Sequence, residues 1–240
     1  MAVKAVYPIR RDWPKEWKQC RAKGCIVPAI FGESCCWEHL PEGNKTNYKN
    51  NLLRKHEEGK PFRRGNFLGV NLEGALLQNV DFREAYLFKA NLRQANLVGS
   101  DFSKAELINA NFQGALLISA NFQDAYLLEA KFQNANLSGC NFRGAYLREA
   151  NFTGAFLFRA SWTGSLYLYW EHIKKCGEEQ SKRWTAAKEV YRSLESYFRE
   201  QGQYSDEMKA YYQAMVMEKQ EAFEKWFYGR RLKSKPKGNV

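Results

Sequence analysis

From Gly65 onward the apolar residues of this chain return at every fifth position. The sequence divides without a gap into GNFLG VNLEG ALLQN VDFRE AYLFK ANLRQ ANLVG SDFSK AELIN ANFQG ALLIS ANFQD AYLLE AKFQN ANLSG CNFRG AYLRE ANFTG AFLFR ASWTG, twenty blocks that end at Gly164. The third residue of each block is Leu, Phe or Trp. The first is mostly Ala, with Gly65, Val70, Val80, Ser100 and Cys140 as variants. A helix cannot hold this pattern on one face, because five residues at about 100° each overshoot a turn by about 140°. A straight strand fails too, since an odd step sends successive large residues to opposite faces. The large residue stays inward only if the chain turns once per block. Four turns then close a square coil of twenty residues, and coils stack as short parallel strands. The sequence carries that longer period: Phe82, Phe102, Phe122, Phe142 and Trp162 lie twenty apart, as do Phe112, Phe132 and Phe152, and Leu77, Leu97, Leu117, Leu137 and Leu157. Five coils at about 4.8 Å spacing make a rod about 24 Å long.

These blocks resemble the pentapeptide-repeat family, whose pattern is A-(D/N)-L-x-x, over 65–164. The resemblance implies a right-handed quadrilateral β-helix, and the handedness comes from it alone. The expected fold is mainly β: a β-helix of about five coils, flanked by a small N-terminal metal module and a C-terminal α-helical hairpin. The expected divisions are a basic N-terminal segment and cap at 1–64, with the metal module at 17–40, the β-helix at 65–169, the hairpin at 170–228 and a basic disordered tail at 229–240. The apolar discs at the rod's two ends need covering, and the flanks are expected to do it.

The second and fourth residues of each block are expected to face outward. One face then carries Leu68, Tyr86, Phe88, Ile108, Tyr126, Leu128, Tyr146 and Leu168, interrupted by Glu106 and Arg148. The opposite face carries Leu76, Val98, Leu116, Ile118, Phe156 and Phe158 among polar residues, and the remaining two faces are polar. So long an outward apolar stripe is rarely left open to water. Either the chain's own C-terminal helices cover it, or a second chain does, whether a copy of itself or another protein.

The segment CRAKGCIVPAIFGESCCWEHL holds Cys20, Cys25, Cys36 and His39 in a C-x4-C-x10-C-x2-H spacing, with Cys35 as an alternative to Cys36. Four N/S ligands at such short spacing suit tetrahedral, structural zinc, and a stretch this short would fold around its metal. It resembles the small modules of three cysteines and one histidine that open some bacterial proteins, although the x4 gap departs from the commoner x2. A plain set of thiols is the competing reading.

Beyond the rod, Trp184, Ala187, Tyr191, Leu194 and Phe198 fall at helical steps. Gly202 offers a stop and Ser205 an N-cap. Met208, Tyr212, Met215, Phe223 and Trp226 then mark a second helix. Leu194, Phe198, Gly202, Tyr204, Tyr211 and Ala214 resemble one tetratricopeptide repeat. One such unit cannot bury its own face, so the pair is expected to lean on the rod.

Charge adds a second hypothesis. The net charge is +11, yet the repeat segment is neutral and the flanks are basic. Arg10, Arg11, Lys15, Lys18, Arg21, Lys23, Arg63 and Arg64 would be the contacts of a nucleic-acid partner. Some pentapeptide-repeat proteins imitate duplex DNA and occupy topoisomerases, but a neutral rod with greasy faces departs from that acidic pattern. No glycine-rich phosphate loop is present, and the three histidines, His39, His56 and His172, form no catalytic set. The sequence therefore points to a non-catalytic scaffold in the bacterial cytoplasm that binds a protein, or itself as a dimer. No small-molecule substrate and no membrane partner is expected.

Overall fold

A computed structural model describes residues 18–23, 29–31, 33, 35–173 and 175–233, with side chains as far as 227. From Asn66 to Leu166 single parallel bridges join each block's second residue to the residue twenty further on, as in Tyr86↔Glu106, Glu106↔Tyr126 and Tyr126↔Tyr146. The chain therefore winds as a coil of four blocks per turn. Third-position residues fill the axis, and Phe82, Phe102, Phe112, Phe122, Phe132, Phe142 and Phe152 are fully buried. Phe102 stacks on Phe122 with ring centres 5.1 Å apart and planes 5° apart, and Phe122 stacks on Phe142 in the same way. A second ladder, Phe112–Phe132–Phe152, stacks at 5.0 Å and meets the first edge to face.

The pairing of backbone N–H groups explains the rest of the motif. In the block AELIN, Glu106 N–H donates to Ala85 O of the coil before. Leu107 N–H donates to Tyr126 O, and Asn109 N–H to Leu128 O, of the coil after. Ala110 N–H then closes a turn onto Leu107 O. Only the fourth N–H is left over, and an Asn or Asp in second position takes it, as Asn111 Oδ1 does from Gln113 N–H at 3.1 Å. The second-position Asn and Asp residues thus complete the accounting of buried donors. The fifth residue turns the corner at positive φ, whether glycine or not: Gly99 (69°), Lys104 (58°) and Asn109 (58°) are consecutive examples.

Both ends extend beyond the range the motif marks. Coil bonding begins in the block Lys60–Arg64, where Phe62 N–H donates to Asp81 O and Arg64 N–H to Arg83 O. Pro61 fits there because a second-position N–H bonds to the preceding coil, and this block has none to meet. At the far end the register slips by one residue: Phe152 N–H donates to His172 O and Gly177 N–H to Ala155 O. Leu168, expected on the outer stripe, is consequently buried. The rod ends at Gly177 rather than 169. A Cβ there would sit 2.7 Å from Gly154 O and 2.9 Å from the Phe156 ring, so only glycine passes that closely.

The N-terminal end is closed by α1 (Glu42–Glu57), which buries Tyr48 and Leu52, and by Ile30, Phe31 and Phe62 over Phe67. Sequence periodicity does not mark α1, since only those two residues of its sixteen are buried. After the short α2 (Gly177–Gln180) come α3 (Trp184–Glu200) and α4 (Tyr204–Lys233), which pack as a hairpin. α3 buries Ala187, Tyr191, Leu194 and Phe198, as its periodicity predicts. On α4, however, Ala210, Ala214 and Met217 are buried, while Met208, Tyr212, Phe223 and Trp226 are exposed. The bulky rings come from α3, so α4 approaches through small residues. α4 also runs through Gly229 to Lys233, past the boundary expected at 228, and residues 234–240 lie outside the described residues. The hairpin does lean on the rod: the Tyr197 hydroxyl donates to Ser165 O at 3.1 Å and Trp170 N–H to Asp206 Oδ2 at 3.0 Å. Among the described residues, no helix is long and apolar enough to cross a membrane.

Candidate metal centre and the outer apolar stripe

Residues 29–31 run alongside the first coil. Phe31 N–H donates to Asn66 O, and the Asn66 side-chain amide donates to Ala29 O at 2.8 Å. This anchoring, with the short 3-10 turn Trp37–His39, brings distant residues together. Cys20 Sγ lies 3.6 Å from His39 Nδ1, and Cys36 Sγ lies 3.2 Å from the same nitrogen. All three ligand atoms fall within 4.8 Å of one another. A tetrahedral zinc, with bonds of about 2.3 Å to sulfur and about 2.0–2.1 Å to nitrogen, sets such ligands roughly 3.5 Å apart. The donor set and its spacing could therefore hold a metal ion. Cys35, one residue away, is not part of the group, so Cys36 is the one of the two that faces His39. Cys25, expected as the fourth ligand, lies outside the described residues.

The two cysteines also face the rod. Cys20, Cys36, Leu68 and Phe88 form one buried cluster, with Ala22, Cys35, Tyr86 and Ile108 packed at its margin. The first part of the apolar stripe is thus covered by the N-terminal module. The C-terminal helices expected as one cover lie elsewhere, against Ser165 and Trp170 at the opposite end of the rod. Farther along, Tyr126 is 48% exposed, with Leu128 and Tyr146 half-buried beside it. Leu166 and Tyr167 extend this open part, and the Tyr146 and Tyr167 rings touch with centres 4.8 Å apart. On the opposite face Leu76, Leu116 and Ile118 are exposed.

The basic residues are arranged differently. Arg63 and Arg64 both close on Glu84, the latter at 2.7 Å, and hold its carboxyl below the usual range. Lys18, Arg21 and Lys23 are exposed. Arg10, Arg11 and Lys15 lie outside the described residues.

A cavity of about 540 Å³ opens between residues 182–186 and 221–225, but its Glu221 is held by Lys188 and Lys225. Burial pushes the Cys176 thiol up to about 12 and raises the Cys140 thiol further still. His172 Nδ1 is buried without a hydrogen bond among the described residues, and burial lowers its pKa.

Residues 66–103, 95–127 and 125–161 match the family model of pentapeptide repeats, in 8 copies. Among solved structures, HetL, a pentapeptide repeat protein involved in heterocyst differentiation regulation from the cyanobacterium Nostoc sp. strain PCC 7120, is 30% identical. That likeness covers 48% of this chain and 47% of HetL, with a TM-score of 0.42. The pentapeptide repeat protein alr5209 from Nostoc PCC 7120 is 33% identical over 47% of this chain and 77% of its own, with a TM-score of 0.36. Rfr23, from the cyanobacterium Cyanothece 51142, is 23% identical over 50% and 99%, with a TM-score of 0.35. This chain spans about half the length of HetL. No curated protein matches it.

Proposed function

With residues 66–161 belonging to the pentapeptide-repeat family, we propose that this chain is a non-catalytic scaffold that presents a rigid β-helix face to a protein partner. The observation that carries the reading is the open part of the stripe, where Tyr126 is exposed with Leu128 and Tyr146 half-buried beside it, while Leu68 and Phe88 of the same face are buried. Tyrosine-rich apolar surface on an inflexible support suits protein recognition, because little entropy is lost when it is covered. A rod whose axis is filled by its own side chains has no concave site for a substrate. Cys20, Cys36 and His39, with Cys25, would hold a structural zinc. Its coordination by protein alone leaves no place for a reacting water.

A photo-crosslinker placed at position 126, and separately at Gln113 on a polar face, tests this in the native cell. Protein adducts are expected from 126 and not from 113, and Leu128→Asp should remove them while circular dichroism stays unchanged. Equal adducts at both positions, or none at 126, would refute the scaffold reading. Light scattering of the purified chain separates a second copy from a different partner.

A further inference from the structure

The metal ligands and the covered part of the stripe are the same piece of structure. Cys20 and Cys36 are buried at 7% and 2% exposure directly against Leu68 and Phe88. Elsewhere the module meets the rod end and α1: the Trp37 ring lies 5.9 Å from that of Tyr48, and Phe31 touches Phe62 and Phe67. Ile30, Phe31 and Leu40 are its buried or part-buried apolar anchors there, and the bonds at Ala29 and Phe31 tie it to Asn66. A segment this short has too small a core to stay ordered unaided, so metal binding and folding are one event. The rod beneath is different: its coil-to-coil hydrogen bonds and aromatic ladders are made between residues of the rod itself.

We infer that metal occupancy sets how much of the apolar stripe is open. The inference rests on the zinc reading given above. With metal bound, the module lies over Leu68, Tyr86, Phe88 and Ile108, and only the part from Tyr126 to Tyr167 faces outward. Loss of the metal releases the module and joins the two parts into one stripe running the length of the rod. The module then acts as a removable cover on the interaction face.

Hydroxyl-radical footprinting of the full chain, zinc-loaded and chelator-stripped, reads this directly, with metal content measured in parallel. Oxidation of Tyr86 and Phe88 is expected to rise several-fold on stripping and to fall again when zinc is restored. Tyr126, already exposed, should not change, and Phe122 and Phe132 should stay protected. His39→Ala should match the stripped protein and ignore the chelator. Stoichiometric zinc with identical Phe88 oxidation in both states would overturn the inference and leave the metal site standing. Absence of zinc binding would overturn the metal reading and the inference together. Loss of Phe132 protection on stripping would also overturn it, since the module would then be supporting the rod rather than covering a face.

Discussion

Glu178 places one carboxylate oxygen 2.7 Å from the backbone nitrogen of Leu157, and the same oxygen 2.7 Å from that of Phe158. In every earlier coil the third-position N–H finds a carbonyl in the next coil, and the fourth finds an Asx oxygen where one is present. Phe156 holds the second position of this block and has no such oxygen, and the next coil is ending. One side chain from α2 substitutes for both. Glu178→Ala should therefore leave two donors orphaned and cost about 2–6 kcal/mol, at about 1–3 kcal/mol per unsatisfied group. Glu178→Gln keeps an acceptor oxygen and should cost less. Urea unfolding followed by circular dichroism measures both, and equal midpoints for Ala and wild type would show that the hairpin alone closes the rod.

Phe122 is the centre of the longer ladder, stacked on Phe102 and Phe142 at 5.1 Å on each side. Phe122→Ala opens a cavity in a filled axis and should cost about 3–5 kcal/mol. Phe122→Leu retains a residue that third positions accept elsewhere and should cost about 1 kcal/mol. Denaturant midpoints that did not separate the two would mean that the axis relaxes around the gap.

What the sequence made legible follows the reach of each interaction. The rod could be read because every block repeats the same local demands: a buried ring, a close-packed small residue, an oxygen for the spare N–H. Lys60–Arg64 escaped notice because a first coil is relieved of one of those demands, which is what admits Pro61. The slip beyond Trp162 escaped because a single inserted residue is invisible once repetition stops. α1 carries too few buried residues to show a period, although Glu42 in its first turn, three bases in its last and Gly59 beyond are weak terminal signals. The cysteine and histidine spacing announced a ligand set. It did not say that the set would lie on Leu68 and Phe88, since a contact between residues 20 and 88 depends on where the rod starts. On α4 the large side chains suggested the wrong inner face, because α3 supplies the bulk of that contact.

Lys104 adopts φ 58° at a block's fifth position, where eight of the twenty blocks have glycine. An L-residue in the left-handed region costs about 1–2 kcal/mol, against about 0.5–1 kcal/mol for the extra freedom of unfolded glycine. Lys104→Gly should thus stabilise the chain by roughly 0.5–1 kcal/mol. Lys104→Val should destabilise it by more than that, since a β-branched residue fits this region poorly. A lower midpoint for the glycine variant would show that the lysine stem contributes packing along the face.

The Cys140 thiol donates to Leu117 O at 2.9 Å, and the Ser100 hydroxyl makes the equivalent bond to Leu77 O at 3.0 Å two coils earlier. The two first positions are interchangeable in this respect. Cys140→Ser should change stability by less than about 1 kcal/mol. In native protein a thiol reagent at pH 8 should spare Cys140 and Cys176, whose thiols burial holds far from ionisation. Rapid labelling of either would indicate that the rod or the hairpin opens locally.

Glu221 joins α4 to α3: Lys225 and Lys188 donate to its carboxylate at 2.6 and 3.3 Å, with Thr185 as a further donor. These hydrogen bonds, that from Lys225 foremost, lower its pKa from 4.5 to about 2. The folded value lies below the unfolded one, so the unfolded chain takes up this proton first as pH falls. The contribution is complete above about 4.5 and is lost as pH drops through about 2. Wild type and Glu221→Gln should therefore differ in denaturant midpoint at pH 6, with the difference shrinking from pH 4.5 downward and vanishing near pH 2. Added salt should narrow the gap at pH 6, because the pair is near the surface. A difference that holds constant across this range would assign the effect to the shape of the side chain rather than its charge.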